Sequence, residues 1–173
     1  VCAATWHWEG PPESAIRVPD ANSCTFRAAR DNAQVSPGHD TITFALPAGS
    51  VIATDGVVFN DPVTIDAPAG KIVLSGPDDY IGVQLNGDGS VVRNLVLNHF
   101  RDGLILGGDN ILVAGCLVGV NPAGNAAAPN RVGIRVYGSD NTIGGTTDAE
   151  RNVVSGNTVV GIVFEGTTAS DNN

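Results

Sequence analysis

Four short blocks decide the fold: Gly82-Val83-Gln84-Leu85, Gly103-Leu104-Ile105-Leu106, Gly133-Ile134-Arg135-Val136 and Gly161-Ile162-Val163-Phe164. Each opens on glycine and then alternates, with the first and third side chains after it apolar. A period of two is the signature of a strand, so Val83/Leu85, Leu104/Leu106, Ile134/Val136 and Ile162/Phe164 are expected on one inward face. Gln84, Ile105, Arg135 and Val163 are then expected to point outward. The blocks lie 21, 30 and 28 residues apart.

Two further elements keep step with them. Asp88-Gly89-Ser90-Val91, Asp109-Asn110-Ile111, Asp140-Asn141-Thr142-Ile143 and Asp171-Asn172-Asn173 each follow one block. Arg93-Asn94-Leu95-Val96-Leu97-Asn98 is matched by Arg151-Asn152-Val153-Val154-Ser155-Gly156-Asn157. Internal repeats of this length mark a solenoid. One coil cannot bury its own inner side chains, whereas coils stacked about 4.8 Å apart share a core and satisfy their backbones in parallel ladders. The apolar runs are too short and too glycine-rich for helical repeats. The reading is an all-β, right-handed parallel β-helix with two or three strands per coil, handedness following from the rule for parallel crossovers.

Upstream, Thr41-Ile42-Thr43-Phe44-Ala45-Leu46, Val51-Ile52, Val57-Val58-Phe59, Val63-Thr64-Ile65 and Ile72-Val73-Leu74 read as strands bounded by Gly, Pro, Asp or Asn. Residues 1–39 are expected to form a cap segment and residues 40–173 the coils, all in one structural domain. Pro11, Pro12 and Pro19 make the beginning irregular. One short helix is expected there, capped by Ser23, with Phe26, Ala29 and Ala33 on its buried face, and stopped by Pro37-Gly38.

Composition narrows the function. The formal charge is −9 over 173 residues, and Lys71 is the single lysine. Such a surface repels nucleic acid and anionic membranes, so neither is expected as a partner. No apolar run is long enough to span a bilayer. Cys2 and Cys24 are expected to pair as a disulfide in an oxidising compartment, the alternative being two unpaired thiols. Cys116, within the apolar run Ile111 to Val118, is expected as a buried core residue between Leu95 and Val153. Asn94 and Asn152 are expected to stack at a turn, with Gly115 between them.

Ser23-Cys24-Thr25-Phe26-Arg27-Ala28-Ala29, Pro37-Gly38-His39-Asp40-Thr41-Ile42-Thr43-Phe44 and Leu46-Pro47-Ala48-Gly49 resemble the CSLREA-type N-terminal module of large secreted bacterial and archaeal β-helix proteins. Thr25, Phe26 and Ala28 depart from its usual wording. Asn141-Thr142-Ile143-Gly144-Gly145-Thr146, the 151–157 stretch and Gly161-Ile162 resemble the repeats that follow that module. The resemblance covers residues 23–173 and implies an extracellular or cell-surface setting. It implies little about activity.

Chemistry on such a stack would fall on the outward positions. Glycoside hydrolysis needs two carboxylates about 5–10 Å apart. The column Gln84, Ile105, Arg135, Val163 carries no carboxylate and one base. His99, Arg101 and Asp102 cluster at one turn, and Glu165 and Tyr137 sit just beyond their blocks, where they could flank a groove. Asp88, Asp109, Asp140 and Asp171 are expected in one row, read as turn capping in preference to calcium ligation. No zinc spacing, nucleophile elbow or phosphate loop is present, so no cofactor and no catalytic residue is expected. Trp6 and Trp8 are candidates for sugar or partner contact, or for a lid on the first coil. The loop from Asn121 through Asn125 to Asn130 is a candidate interaction site, or a tolerated insertion. Ser170-Asp171-Asn172-Asn173 matches the start of a coil, so that end is expected either to continue into a longer solenoid or to dock on another subunit.

The expected function is an extracellular structural or adhesive module without catalysis, self-associating through coil ends or contacting a cell surface or glycan. The alternatives are a filament subunit stacking end to end, and a polysaccharide lyase or hydrolase.

Overall fold

The computed structural model describes residues 15–18, 25–35, 38–166 and 169–173. Helix α1 (Phe26–Ala33) follows strand β1 (Ala15–Val18). Five coils of three strands come next. Coil 1 holds β2 (Asp40–Phe44), β3 (Val51–Ala53) and β4 (Val57–Phe59). Coil 2 holds β5 (Val63–Asp66), β6 (Ile72–Ser75) and β7 (Ile81–Leu85). Coil 3 holds β8 (Val91–Arg93), β9 (Leu95–Asn98) and β10 (Asp102–Leu106). Coil 4 holds β11 (Leu112–Ala114), β12 (Leu117–Val118) and β13 (Val132–Val136). Coil 5 holds β14 (Thr142–Ile143), β15 (Val153–Val154) and β16 (Val160–Phe164).

Corresponding strands stack into three sheets, in which every pairing is parallel. The first sheet runs β1-β2-β5-β8-β11-β14, the second β3-β6-β9-β12-β15 and the third β4-β7-β10-β13-β16. This is the expected parallel β-helix. The segment read as irregular contributes β1, which extends the first sheet beyond coil 1.

The glycine-led blocks are β7, β10, β13 and β16, and register carries their columns through the third sheet. Val57, Val83, Leu104, Ile134 and Ile162 form one column, and Phe59, Leu85, Leu106, Val136 and Phe164 the other. The glycines recur because adjacent coils touch there. A Cβ on Gly82 would lie 2.5 Å from the Gly103 carbonyl oxygen, and one on Gly133 would lie 2.4 Å from that of Gly161. One aliphatic cluster draws Ile42, Ile65, Leu74, Leu97, Leu104 and their neighbours from all three sheets. Burying such side chains contributes roughly 1.5–3 kcal/mol each, the main force holding the stack.

Helix α1 caps this core. Phe26 is buried, with its ring 6.0 Å from that of Phe44 and 6.3 Å from that of Phe59. Ala29 and Ala33 complete the buried stripe at helical spacing. The N-cap is Thr25, whose hydroxyl accepts from Ala28 N–H, and not Ser23, which lies outside the described residues. A threonine directly before the first helical residue reaches the orphan amide that a serine two positions earlier cannot.

Three register expectations need correction. Leu117 pairs with both Val96 and Val153, so Cys116 lies over Leu95 but under Asn152. Asn94 and Asn152 therefore occupy different columns, and each amide bonds a carbonyl of the coil below, Ala67 O at 3.1 Å and Val113 O at 2.8 Å. The aspartates also split. Asp140 and Asp171 adopt positive φ with Asn110 and Gly89, whereas Asp88 and Asp109 sit one residue earlier and accept from the next coil's Asp109 N–H and Ser139 N–H. Turn geometry outweighed residue identity: the left-handed position takes Gly, Asn or Asp alike.

Candidate functional site

The outer face of the third sheet gathers the charges that sequence placed apart. Arg135 points outward from β13 and spans three coils. Its Nε donates to Asp102 Oδ1 at 2.9 Å, and its Nη1 pairs with Glu165 Oε1. Arg101 Nε donates to the other Asp102 oxygen at 2.9 Å, and Tyr137 Oη donates to Glu165 Oε2 at 3.2 Å. The Asp102 side chain is 4% exposed and that of Arg135 17%. Burial works against the Arg135 charge, but the Glu165 and Asp102 hydrogen bonds outweigh it and hold the guanidinium protonated beyond its ordinary range. Both Asp102 oxygens are thus held by arginines, and both Glu165 oxygens are engaged by neighbours. The network joins coils 3, 4 and 5 across the outer surface. His99 stays apart, half-exposed and 3.9 Å from Asp78.

The outer face of the second sheet holds something the sequence reading missed. Val51, Val73, Val96, Leu117 and Val153 share one register column opposite the core. Val73, Val96, Leu117 and Val120 form a second buried cluster, with Val153 packed against it. The loop 121–130 folds over it. Val120 bridges Ala127 antiparallel, Asn121 N–H donates to Ala126 O at 2.9 Å, and Asn121 Oδ1 accepts from Asn125 N–H at 3.1 Å. Asn125 is exposed, and Asn121, where the loop begins, is half-buried. Asn130 is buried, and its side chain serves the stack. The signal was available: Ile72-Val73-Leu74, Leu95-Val96-Leu97 and Cys116-Leu117-Val118 are apolar at every position, as strands covered on both faces are.

Asparagines bracket the corners between coils. Asn130 Oδ1 accepts from Phe100 N–H at 3.0 Å while its Nδ2 donates to Leu97 O at 3.0 Å. Asn152 takes Cys116 N–H and Val113 O, both at 2.8 Å. Asn172 takes Asn141 N–H at 2.8 Å and Gly138 O at 3.1 Å. In each case one amide spans a backbone N–H and the carbonyl three residues before it, on the coil below. Asn157 extends the set, accepting from Asn130 N–H and donating to Val118 O. At the same corner as Asn172, Ser90 Oγ and Asn141 Oδ1 accept from Val63 N–H and Ile111 N–H.

Above coil 5, Asn173 N–H donates to Asn141 O at 2.8 Å and Asn173 O accepts from Ile143 N–H at 2.7 Å, while the third sheet carries no further strand. Ile162 is 37% and Phe164 52% exposed, although the residues below them in their columns, Ile134 and Val136, are fully buried. A cavity of about 710 Å³ lies there, lined among others by Ile143, Asn152, Val154, Ile162 and Asn173.

Among the described residues no group of three or more His, Cys, Asp or Glu could hold a metal ion, and no helix is long and apolar enough to cross a membrane. Cys116 is a buried free thiol, and burial pushes its pKa up to about 11. Cys2, Trp6, Trp8 and Cys24 lie outside the described residues. No protein-family model, curated protein or solved structure matches the chain.

Proposed function

We propose that this chain is a stiff structural or adhesive module of an extracellular or cell-surface protein, without catalytic activity of its own. The supporting observation is the Asp102–Arg135–Glu165 network. The outward groups with the most chemical potential spend their polar atoms on one another across three coils, an arrangement suited to holding a rod together. The CSLREA-like wording and the net charge of −9 fit a secreted setting that engages neither nucleic acid nor anionic lipid. Adhesive contact with a glycan or protein would fall on exposed features of the rigid stack, such as Asn125 in the 121–130 loop.

The exposed Ile162 and Phe164 support a second reading, self-association through coil ends. Head-to-tail filament growth is the weaker form of it, because Phe26 of α1 covers Phe44 and Phe59 at coil 1. A polysaccharide lyase or hydrolase is the third reading. Reducing-sugar release and unsaturated-product absorbance on a panel of acidic and neutral polysaccharides separate it from the first. We expect no turnover; turnover that Glu165→Gln or Arg135→Lys removes would overturn the proposal.

A further inference from the structure

Helix α1 and the first two coils enclose a groove whose polar groups the scaffold does not use up. Burying Phe26, Ala29 and Ala33 leaves Arg27 and Arg30, three residues apart and so on one helix face, to line it. Arg27 pairs with Asp55, and that pair stands between two cavities, both of which it lines. One, of about 650 Å³, reaches past Val51, Ala53 and Pro77. The other, of about 260 Å³, reaches past Arg30, Val58 and Tyr80. The larger falls within the range of roughly 300–1,000 Å³ usual for ligand sites. Asp55 is held in place by the residue after it. Gly56 takes a φ of +85°, and a Cβ on it would lie 1.6 Å from the Ile81 carbonyl oxygen. The backbone of Tyr80 is fixed as well. Its N–H donates to Pro77 O at 3.1 Å and its carbonyl accepts from Arg101 N–H at 2.7 Å, yet the residue is 51% exposed. Arg30 is poorly satisfied where it lies. Asp31 Oδ1, 3.1 Å from Nη2, is the one acceptor its guanidinium meets among the described residues, and its Nε is buried without a partner. Burying a charged donor with no acceptor is unfavourable, so an oxygen offered in the cavity would draw the guanidinium toward it.

We propose that this groove binds an uncharged saccharide, with one ring against Tyr80 and its hydroxyls shared between Arg30 and Asp55. Charge decides the ligand class. Arg27 and Arg30 are balanced by Asp55 and Asp31, and the whole chain carries −9. An anionic ligand is therefore repelled at range and finds no excess of positive charge on arrival, and a cation meets two arginines. A sugar hydroxyl both donates and accepts, which suits a carboxylate beside a guanidinium. Asp55, with its side chain 53% exposed, has room to accept from one hydroxyl while Arg30 donates to the next. The apolar face of a pyranose packs well on an aromatic ring that carries a polar tip. Val51 and Ala53, both exposed, give the larger cavity an apolar wall for a second ring. A peptide strand is disfavoured, because α1 packs against β4, the end strand of the third sheet, and closes that edge to backbone pairing. This site rests on the adhesive reading above, to which it gives a place and a ligand class.

The test titrates cellohexaose, mannohexaose, maltohexaose and chitohexaose into the 173-residue chain and follows backbone amide, arginine Nε–H and tyrosine ring resonances by NMR. At least one sugar should saturate at millimolar concentration, shifting Arg30 Nε–H, the Gly56 amide and the Tyr80 ring together. Arg30→Lys keeps the charge but loses the planar fork and should weaken binding about tenfold. Tyr80→Ala should weaken it about fivefold. Amide spectra that match the parent chain away from the groove establish that both variants are folded. Hexagalacturonate should bind more weakly than the best neutral sugar. If none of the four sugars shifts these groups, the proposal is overturned. Sugar binding that both variants leave intact overturns it too, and leaves the adhesive reading standing at some other surface. Tighter binding of hexagalacturonate, or equal shifts from an uncharged Ser-Ala decapeptide, would refute the ligand class. Release of reducing ends from a bound sugar would sink the non-catalytic reading and leave the site in place.

Discussion

Phe59 and Phe164 occupy the two ends of one column, and their surroundings differ completely. Phe59, in coil 1, is fully buried under Phe26 of α1, whereas Phe164, in coil 5, is 52% exposed. The strands share direction and an apolar residue at each core-column position, so the strand pattern does not set burial. What lies on the next layer sets it. In a solenoid each coil is completed by its neighbour. Here Phe26 of α1 lies over Phe59, whereas Phe164 keeps half of its surface exposed.

The largest expected effect sharpens this contrast directly. Phe59→Ala should cost about 3–5 kcal/mol, the usual price of an aromatic cavity, and Phe164→Ala less than about 1 kcal/mol, as at an exposed position. Chemical denaturation of both variants checks it, and equal costs would break the comparison.

Next come the charges. Arg135→Ala leaves the buried Asp102 with Arg101 alone, a loss of about 2–3 kcal/mol, since stranding a buried ion is expensive even when one partner remains. Arg27→Ala removes only the exposed pair with Asp55 beside α1 and should leave the denaturation midpoint nearly unchanged. If the two losses match, the outer network contributes no more than a surface ion pair.

Corner asparagines should fall below these. Asn130→Ala strands Phe100 N–H and Leu97 O and should cost about 1–3 kcal/mol. Asn125→Ala, at an exposed position in the loop that Asn130 closes, should change stability by less than about 0.5 kcal/mol.

The smallest effect concerns Cys116. Its thiol pKa is raised from 9.0 to about 11 by burial, so the folded state disfavours the thiolate. The stabilising share is complete below pH 9 and drains away as pH climbs toward about 11, where the unfolded chain gains by ionising. Cys116→Ala should flatten that alkaline slope. At neutral pH, Cys116 in the folded chain should resist alkylation that it accepts in denaturant.

How much of this was legible beforehand follows from the same physics. The core columns of β7, β10, β13 and β16 could be read because a period of two survives any change in coil length, and the glycines mark where coils touch. The buried stripe Phe26, Ala29, Ala33 was legible for the analogous reason at helical spacing. Corner registers were not. One residue more or less in a turn slides Asp140 into the Gly89 column and Asn152 over Cys116, and residue type alone does not count those turns. The outer cluster on the second sheet was hidden because attention to alternation passes over runs such as Leu95-Val96-Leu97, and its cover, the 121–130 loop, carries no apolar pattern of its own beyond alanines. The Asp102–Arg135–Glu165 network depended on distance through the stack, so its members looked unrelated in sequence.

Methyl–methyl NOEs in selectively labelled protein test the central claim, that successive coils lie parallel and in register around one dry interior. Contacts should link Val83 to Leu104, Leu104 to Ile134, and Leu85 to Leu106 to Val136, with Ile134 reaching Ile162. Absence of those contacts, or strong contacts shifted one residue along each strand, would contradict it.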